Sequence, residues 1–269
     1  MTPIAVARSV NRSAPNPLTT AWHVYRATRT PPSAPRGTGT VDHSMLRPVL
    51  EAVRAGGVPA LDGVRQELAD YLGGLADIDP DQLEPEQALA FWINLYNAAA
   101  LGLIADANTN DRSSVLDIKH AFDRPAARIT GQDLSLTEIE HGKVRRFKDP
   151  RIHFALICGS VSCPTLRGRP FEGDAIGAQL QQQAVDFLAA GGAVADREAD
   201  TLYLSRVFLW YGPDFVRPAR MPGWLPASKR STASAASAWM VEQDAAWLAE
   251  SGPRIRYQRY DWGLACSVR

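Results

Sequence analysis

The stretch DPRIHFALICGSVSCPTLRGR, residues 149–169, holds a histidine and two of the three cysteines, and the rest of the chain is organised around it. Residues 152–158 are mostly β-branched or large apolar side chains between Asp-Pro and Gly-Ser, a pattern that predicts a buried strand. Because Pro164 suits the first position of a helix, Cys163 is predicted to be the N-cap. The helix dipole favours a thiolate there, so we expect a low pKa for Cys163.

The composition indicates a soluble, globular chain with reduced thiols. Of 269 residues, 45% are hydrophobic, which is ample for a sizeable core. The 29 basic and 29 acidic residues cancel, so no global field directs the chain to nucleic acid. Three cysteines, an odd number, argue against a disulfide framework. We expect no cofactor and no resident metal, and the sequence gives no indication of oligomeric state.

The first 38 residues differ in composition from the rest. Five arginines and six prolines precede the first acidic residue, Asp42, and such a segment cannot bury enough surface to fold alone. We therefore expect residues 1–38 to be a disordered or surface-draped basic arm and residues 39–269 to be a single globular domain. The aromatic-rich run Trp22, His23, Val24 and Tyr25 would pin part of this arm to the domain. No apolar signal segment follows the basic start, so a cytoplasmic location is expected.

Apolar periodicity predicts helices over residues 41–55, 61–72 and 88–104. The last run is apolar nearly all round and approaches the ~20 residues that span a bilayer. Asn94 and Asn97 in its middle favour a buried core helix over a membrane span, since polar side chains at membrane depth are costly. Three residues apart, the two amides share a face. They either hydrogen-bond neighbouring backbone or line a polar pocket.

Ser135 and Glu138 form a capping box, and the helix that it opens is predicted to reach about Phe147 and to carry Glu140 and His141. Further helices are predicted over 174–190 and 233–251, with strands at 203–204 and 255–260. This mixture, with helices dominant, predicts an α+β fold: a helix-rich single domain around a small sheet.

A cysteine nucleophile needs a site that favours the thiolate, a base within reach and a group that orients the base. Cys163 is the candidate nucleophile, and His153 or His141 is the candidate base. Glu140, or one of the two asparagines, would orient the imidazole. On a regular strand His153 lies ~16 Å from the strand end, so the turn must fold back to bring Cys163 near it.

The position of Cys158 allows two interpretations. At the end of a buried strand it is expected to be an inert core thiol, since cysteine is among the most buried residue types. Together with Cys163, His141 and His153 it also offers the two sulfurs and two nitrogens that zinc accepts, although the spacing of the cysteines is long for such a site. We consider this metal site the weaker alternative.

Five motifs, in order, resemble the family known as domain of unknown function 547, which is found in bacteria and plants. They are AFWINLYNA at 90–98, LSLTEIEH at 134–141, RIHFAL at 151–156 with SCP at 162–164, WY at 210–211 with DF at 214–215, and YDW at 260–262. The resemblance implies a polar signature at Asn94, Asn97, Glu140, His141, His153, Cys158, Cys163 and Asp261. It departs at Ala265, where the family commonly has asparagine.

The family's activity is unassigned, so the resemblance implies a fold group and no reaction. By analogy, the Cys, His and Glu set is similar to that of papain-like and transglutaminase-like hydrolases, in a permuted order. The hypothesis is a cysteine-dependent hydrolase or acyl transferase that acts on an amide or ester of an unidentified small molecule or peptide. In it Cys163 attacks, His153 takes the proton, and Asn94, Asn97, Cys158 and Asp261 shape the site. The alternative is a non-catalytic binding domain in which these residues form a buried structural network.

Overall fold

Helix α4 (Pro85–Thr109) is the element on which the rest of the fold is assembled. A computed structural model describes residues 17–28 and 35–266. Within them α4 is the one helix long and apolar enough to cross a membrane, and 94% of its most apolar window is buried inside the protein. This is the burial expected of a core helix. Helices dominate and the sheets are small, so the fold class is α+β, as predicted; a papain-like core stays a prediction.

Helices α2 (Arg47–Gly56) and α3 (Arg65–Gly74) precede α4 and share its hydrophobic core. Both predicted helices are present, but their first turns are tighter than an α-helix. Ser44–Leu46 and Val58–Val64 are 3₁₀ segments that lead into α2 and α3. The apolar periodicity therefore located the helical regions, and the type of helix at their starts was not predicted.

The segment predicted to be a disordered or surface-draped arm contains a helix, α1 (Pro17–Thr28). The helix packs on residues 138–143, and Gly142 allows the close approach: a Cβ there would lie 2.8 Å from the Ala27 carbonyl oxygen. Trp22 and Tyr25 do not act as anchors, since they are 58% and 48% exposed. The side chain of His23, and the parts of the predicted arm at 1–16 and 29–34, lie outside the described residues.

The predicted strand at residues 152–158 is wrong. Pro150–Phe154 is a 3₁₀ helix, capped by the Asp149 carboxylate on the Arg151 N–H (3.0 Å), and the chain continues without regular structure. The segment is buried, but its backbone pairs with side chains of α4 and with no neighbouring strand. A short apolar run does not distinguish a strand from a buried irregular segment. No helix begins at Pro164 either, so Cys163 is not an N-cap.

Two small sheets lie on the helical core. Strands β1 (Pro125–Ile129) and β2 (Gln132–Ser135) form an antiparallel hairpin. Strand β4 (Thr201–Leu204) is the centre of a second sheet, with β3 (Ala193–Asp196) antiparallel and β5 (Arg254–Tyr257) parallel to it. Strands β4 and β5 correspond to the predicted strands, whereas β1, β2 and β3 were not predicted.

The C-terminal part surrounds a second, aromatic core. Its helices are α5 (Ile176–Phe187), α6 (Val207–Trp210), α7 (Gly212–Val216), α8 (Lys229–Ala236) and α9 (Glu242–Ser251), so the helix predicted over 233–251 is two helices around a break. Phe154 lies at the centre, with ring centroids 5.0 Å from Phe187 and 5.3 Å from Phe215. This packing fixes the preceding residue, His153, against α7.

Candidate functional site

A cavity of about 780 Å³ collects most of the side chains that the sequence singles out. Its wall includes Glu140, His141, His153, Cys158 and Cys163. Three chain segments meet there: the helical region that the capping box opens, the irregular segment that follows it, and the region around α6 and α7. A volume of this size falls within the range of pockets that bind small organic ligands.

The cysteines occupy one corner of the cavity. Gly159, at φ +76°, turns the chain so that Cys163 folds back beside Cys158. The Cys158 N–H donates to Cys163 Sγ over 2.8 Å. Cys158 Sγ lies 3.1 Å from the Ser160 hydroxyl and 3.1 Å from the Tyr260 hydroxyl. All three cysteines of the chain are free thiols.

These contacts reverse the expected order of the pKa values of the two thiols. The neighbouring Cys163 thiol, followed by the Ser160 and Tyr260 hydroxyls, outweighs burial and lowers the pKa of Cys158 to about 7. Burial raises the pKa of Cys163 well above its ordinary value, so this thiol keeps its proton at neutral pH. The low pKa predicted for Cys163 is therefore wrong, because the helix whose dipole would lower it does not exist.

Asp214 lies outside the cavity wall, directly beneath its opposite side, where it contacts the wall residues His153 and Arg145; its side chain is 0% exposed. Its carboxylate accepts two hydrogen bonds from the Arg145 guanidinium (2.8 and 2.9 Å), one from His153 Nε2 (2.9 Å) and one from the Gly223 N–H (2.7 Å). Burial raises the pKa of Asp214, but the bonds from His153 and Arg145 outweigh it and hold the pKa well below its usual range. Tyr211 stacks on the His153 ring at a centroid distance of 3.8 Å.

The hydrogen-bond network assigns the protons of both imidazoles. Arg145 has no acceptor atom, so His141 Nδ1, 2.9 Å from it, accepts and His141 carries its proton on Nε2. The carboxylate of Asp214 accepts from His153 Nε2, which leaves Nδ1 of His153 as an acceptor. Burial lowers the pKa of His141 to about 4 and also lowers that of His153. At neutral pH both rings are neutral, one a donor and the other a base.

Glu140 lies between two tyrosines and does not orient His153 as predicted. Its carboxylate accepts from Tyr211 over 2.5 Å and from Tyr96 over 3.3 Å, and it is 4.0 Å from His141 Nδ1. Burial raises the pKa of Glu140, but the adjacent imidazoles, the Tyr211 hydroxyl and Arg145 together lower it below its ordinary value. Asp214 has the orienting position that the sequence assigned to Glu140.

The predicted pair of Cys163 and His153 is not formed. Among the residues that the structure describes, no hydrogen bond joins a cysteine to a histidine. Tyr96 and Tyr211 connect the two sides, since each hydroxyl interacts electrostatically with both Glu140 and Cys158. The site therefore has two parts. The thiol corner is formed by Cys158 and Cys163, and the imidazole–carboxylate side is formed by Glu140, His141, His153 and Asp214.

Asn94 and Asn97 lie outside the cavity wall, and the structure favours the first of their two interpretations. The Asn94 amide donates to the Phe171 carbonyl (2.7 Å) and accepts from the Phe171 N–H (2.9 Å). The Asn97 amide donates to the Ala155 carbonyl (2.9 Å) and accepts from the Ile157 N–H (3.0 Å). Both side-chain amides therefore hydrogen-bond to backbone groups, and that of Asn97 holds the segment that leads into Cys158 in place.

Asp261 also lies outside the wall and fixes the end of the chain to the cysteine loop. Its carboxylate accepts from the Gly263 N–H (2.8 Å), and its own N–H donates to the Ser162 hydroxyl (2.9 Å). The Ser162 N–H in turn donates to the Asp261 carbonyl (3.2 Å). This pairing places Tyr260 next to Cys158.

The sequence patterns do not point to Asp214, Arg145, Tyr96, Tyr211 or Tyr260 as site residues. Arg145 follows His141 by one helical turn, and Asp214 follows the Trp-Tyr motif at 210–211, so both lie close to motifs that were recognised. Their partnership across 69 positions could not be inferred from spacing.

The zinc alternative finds no support in the geometry. Within residues 17–28 and 35–266, no group of three or more His, Cys, Asp or Glu side chains is arranged to hold a metal ion. Cys158 and Cys163 lie in the thiol corner, whereas His141 and His153 belong to the imidazole–carboxylate side.

Residues 80–188 match the family described as "Protein of unknown function, DUF547". The segment contains α4, the capping-box region and the cysteine loop, so the resemblance predicted from the motifs is confirmed over residues 80–188, which hold three of the five motifs. Tyr211, Asp214 and Tyr260 lie beyond the matched segment. No curated protein and no solved structure matches the chain.

Proposed function

We propose that the 780 Å³ cavity is the active site of a cysteine-dependent hydrolase or acyl transferase, and that Cys158 is its nucleophile. The observation that carries the proposal is the environment of Cys158 Sγ. Two hydroxyls at 3.1 Å and the Cys163 thiol favour a thiolate on the wall of a ligand-sized cavity. Cys163, the nucleophile that the sequence favours, takes the role of a protonated neighbour.

The proposed reaction begins with attack of the Cys158 thiolate on the carbonyl carbon of an amide or ester. A C–S bond forms and the carbonyl electron pair moves to oxygen. Neutral His141 has its Nε2–H available as a donor to this oxyanion, because Arg145 holds Nδ1. Collapse breaks the C–N or C–O bond, the leaving group takes a proton from a water molecule, and a thioester remains. Water or a second acceptor then releases the acyl group, with His153 Nδ1 as the base and Asp214 as its orienting partner.

The wall of the cavity favours a substrate with an apolar acyl part. Apart from the polar groups above it is largely aromatic and aliphatic, with the side chains of Ala21, Val24, Phe122, Leu156, Val207, Phe208, Leu209, Trp210, Pro213, Trp224 and Trp262. Such a surface binds apolar groups by removing them from water. The few polar groups would then orient the reacting carbonyl.

The alternative, a non-catalytic binding domain, has one observation in its favour. The Arg145–Asp214 pair is almost completely buried and fully hydrogen-bonded, which a structural network requires as much as a catalytic one. The two functions differ in the thiol, because a binding domain gives no reason for a reactive Cys158.

Iodoacetamide labelling of the native protein across pH, located by mass spectrometry, tests the proposal. We expect Cys158 to be labelled first, with a midpoint near pH 7. Cys163 and Cys266 serve as internal controls, because burial raises the pKa of Cys163 well above its ordinary value and that of Cys266 to about 12. Incubation with nitrophenyl esters of short and long acids should then give a mass increase of one acyl group on wild type and none on Cys158→Ser. Labelling of Cys158 only after denaturation would exclude the nucleophile.

A further inference from the structure

A second, smaller cavity of about 230 Å³ lies outside the site described above. Arg54 reaches it from the last turn of α2, and Arg167 and Arg169 from the segment that follows the cysteine loop. The opposite side is formed by α5, through Gln183 and Asp186. Three arginines from two elements that are distant in sequence thus line one small cavity, Arg54 and Arg169 exposed and Arg167 half-buried.

These arginines have not been neutralised by the protein itself. Among the described residues none of the three guanidinium groups has a carboxylate within ion-pair distance or donates a hydrogen bond, and Asp186 and Glu172 act on Arg167 only from a longer distance. Asp186, the one acidic residue of the wall, accepts a hydrogen bond from Gln182 (2.8 Å). The cavity therefore has a surplus of two positive charges.

Arg167 supplies a second observation that points to a ligand. Its Nε is buried and has no hydrogen-bond partner, although buried donors in native proteins are nearly always paired. The guanidinium lies over the Phe171 ring, with its carbon 5.5 Å from the ring centroid, so its orientation is fixed by packing. The buried Nε–H does not face the cavity, so the terminal nitrogens of this packed guanidinium are the donors that an anion there would meet.

We propose that this second cavity binds a phosphate group, either as inorganic phosphate or as the dianionic end of a small phosphate ester. The surplus of two positive charges matches a phosphate dianion, and the planar guanidinium forks match its oxygens bidentately. A carboxylate would neutralise only half of the surplus. The volume lies below the range of pockets for drug-sized ligands, so the phosphate enters and a larger organic part stays at the mouth.

Calorimetric titration of the full chain with inorganic phosphate and with glycerol phosphate tests the site at constant ionic strength, with sodium acetate as the monoanionic control. We expect both phosphates to bind and to raise the midpoint of thermal unfolding, because a ligand of the native state stabilises it. Tighter binding of glycerol phosphate would identify the ester as the ligand. Equal affinities would identify the phosphate group alone. Absence of heat and of any thermal shift, or equal binding of acetate, would overturn the proposal.

Substitutions locate the binding. Arg167→Gln should weaken phosphate at least about tenfold, since a hydrogen bond to a charged group contributes about 1.5–3 kcal/mol. Arg54→Gln, on the surface of α2, should give a similar loss and does not depend on the packing of Arg167. Arg256→Gln on β5 removes the same charge from an exposed position outside the cavity and should leave the affinity unchanged. Equal affinity of all three variants would refute the site.

Discussion

Helix α4 and the segment from Glu138 to Cys163 are both largely buried, but they are built differently. Helix α4 is 25 residues of continuous α-helix whose side chains pack on all sides. The second segment passes through a π-helix (Glu138–Lys143), two 3₁₀ helices (Val144–Phe147 and Pro150–Phe154) and an irregular loop. The regular element forms the core, and the irregular one carries the cysteines and histidines of the proposed active site.

This difference shows what holds each region in place. An α-helix satisfies its own backbone, so α4 needs only apolar packing. The irregular segment leaves backbone and charged groups that other residues must satisfy, and Asn97 and Asp214 do so. We therefore expect that replacing a polar residue that lies in or faces the irregular segment destabilises the protein as strongly as a large-to-small substitution in a hydrophobic core.

Asp214→Ala should have the largest effect. It leaves the Arg145 guanidinium buried without its carboxylate, and breaking a buried ion pair costs about 3–5 kcal/mol of unfolding free energy. Urea denaturation measures the loss. Asp133→Ala is the matched control, because its pair with Arg128 is 56% and 64% exposed and should contribute at most about 1 kcal/mol. Equal effects of the two substitutions would show that the buried network does not hold the segment.

Asn97→Ala and Asn94→Ala separate the two regions that α4 supports. Each substitution leaves a buried carbonyl and a buried N–H unpaired, at a cost of about 2–3 kcal/mol. We expect similar losses of stability in urea. Asn97 holds Ala155 and Ile157 next to Cys158, so Asn97→Ala alone should also alter the rate of Cys158 labelling. A change of labelling in both variants, or in neither, would contradict this assignment.

One buried histidine in each region should make the stability of the protein depend on pH. Burial lowers the pKa of His43, which bonds Tyr71 beside α4, and that of His141 in the irregular segment, both to about 4. Between pH 6.5 and 4 these histidines bind protons in the unfolded chain but not in the folded protein. Their contribution to the free energy of unfolding is therefore fully present above pH 6.5 and is lost as the pH falls toward 4. His43→Gln and His141→Gln should each reduce the slope by roughly 1 kcal/mol per pH unit in urea denaturation at pH 7, 6 and 5. An unchanged slope would show that the ring is protonated in the folded protein.

The same contrast explains which features the sequence could predict. Helix α4, α5 and the capping box at Ser135 follow from periodicity and local hydrogen bonding, and all are present. The segment at 152–158 has the composition of a strand, but its backbone is satisfied by Asn97, a tertiary contact 58 and 60 positions away that no local pattern encodes. The residues of the site were found by chemical type, whereas their roles depend on contacts such as that of Asp214 with His153.

Tyr260→Phe should give the smallest change in stability and the most specific change in chemistry. The hydroxyl lies 3.1 Å from Cys158 Sγ and 2.9 Å from Ser160 Oγ, and it lowers the pKa of Cys158 along with the stronger effect of Cys163. Its removal should raise that pKa toward the ordinary value and slow iodoacetamide labelling at pH 7 several-fold, because less thiolate is present. The matched control is Tyr257→Phe, which removes a hydroxyl from another residue of the cavity wall. The hydroxyls around Cys158 replace the helix dipole that the sequence suggested, and equal labelling rates in the two variants would show that the Tyr260 hydroxyl does not help to form the thiolate.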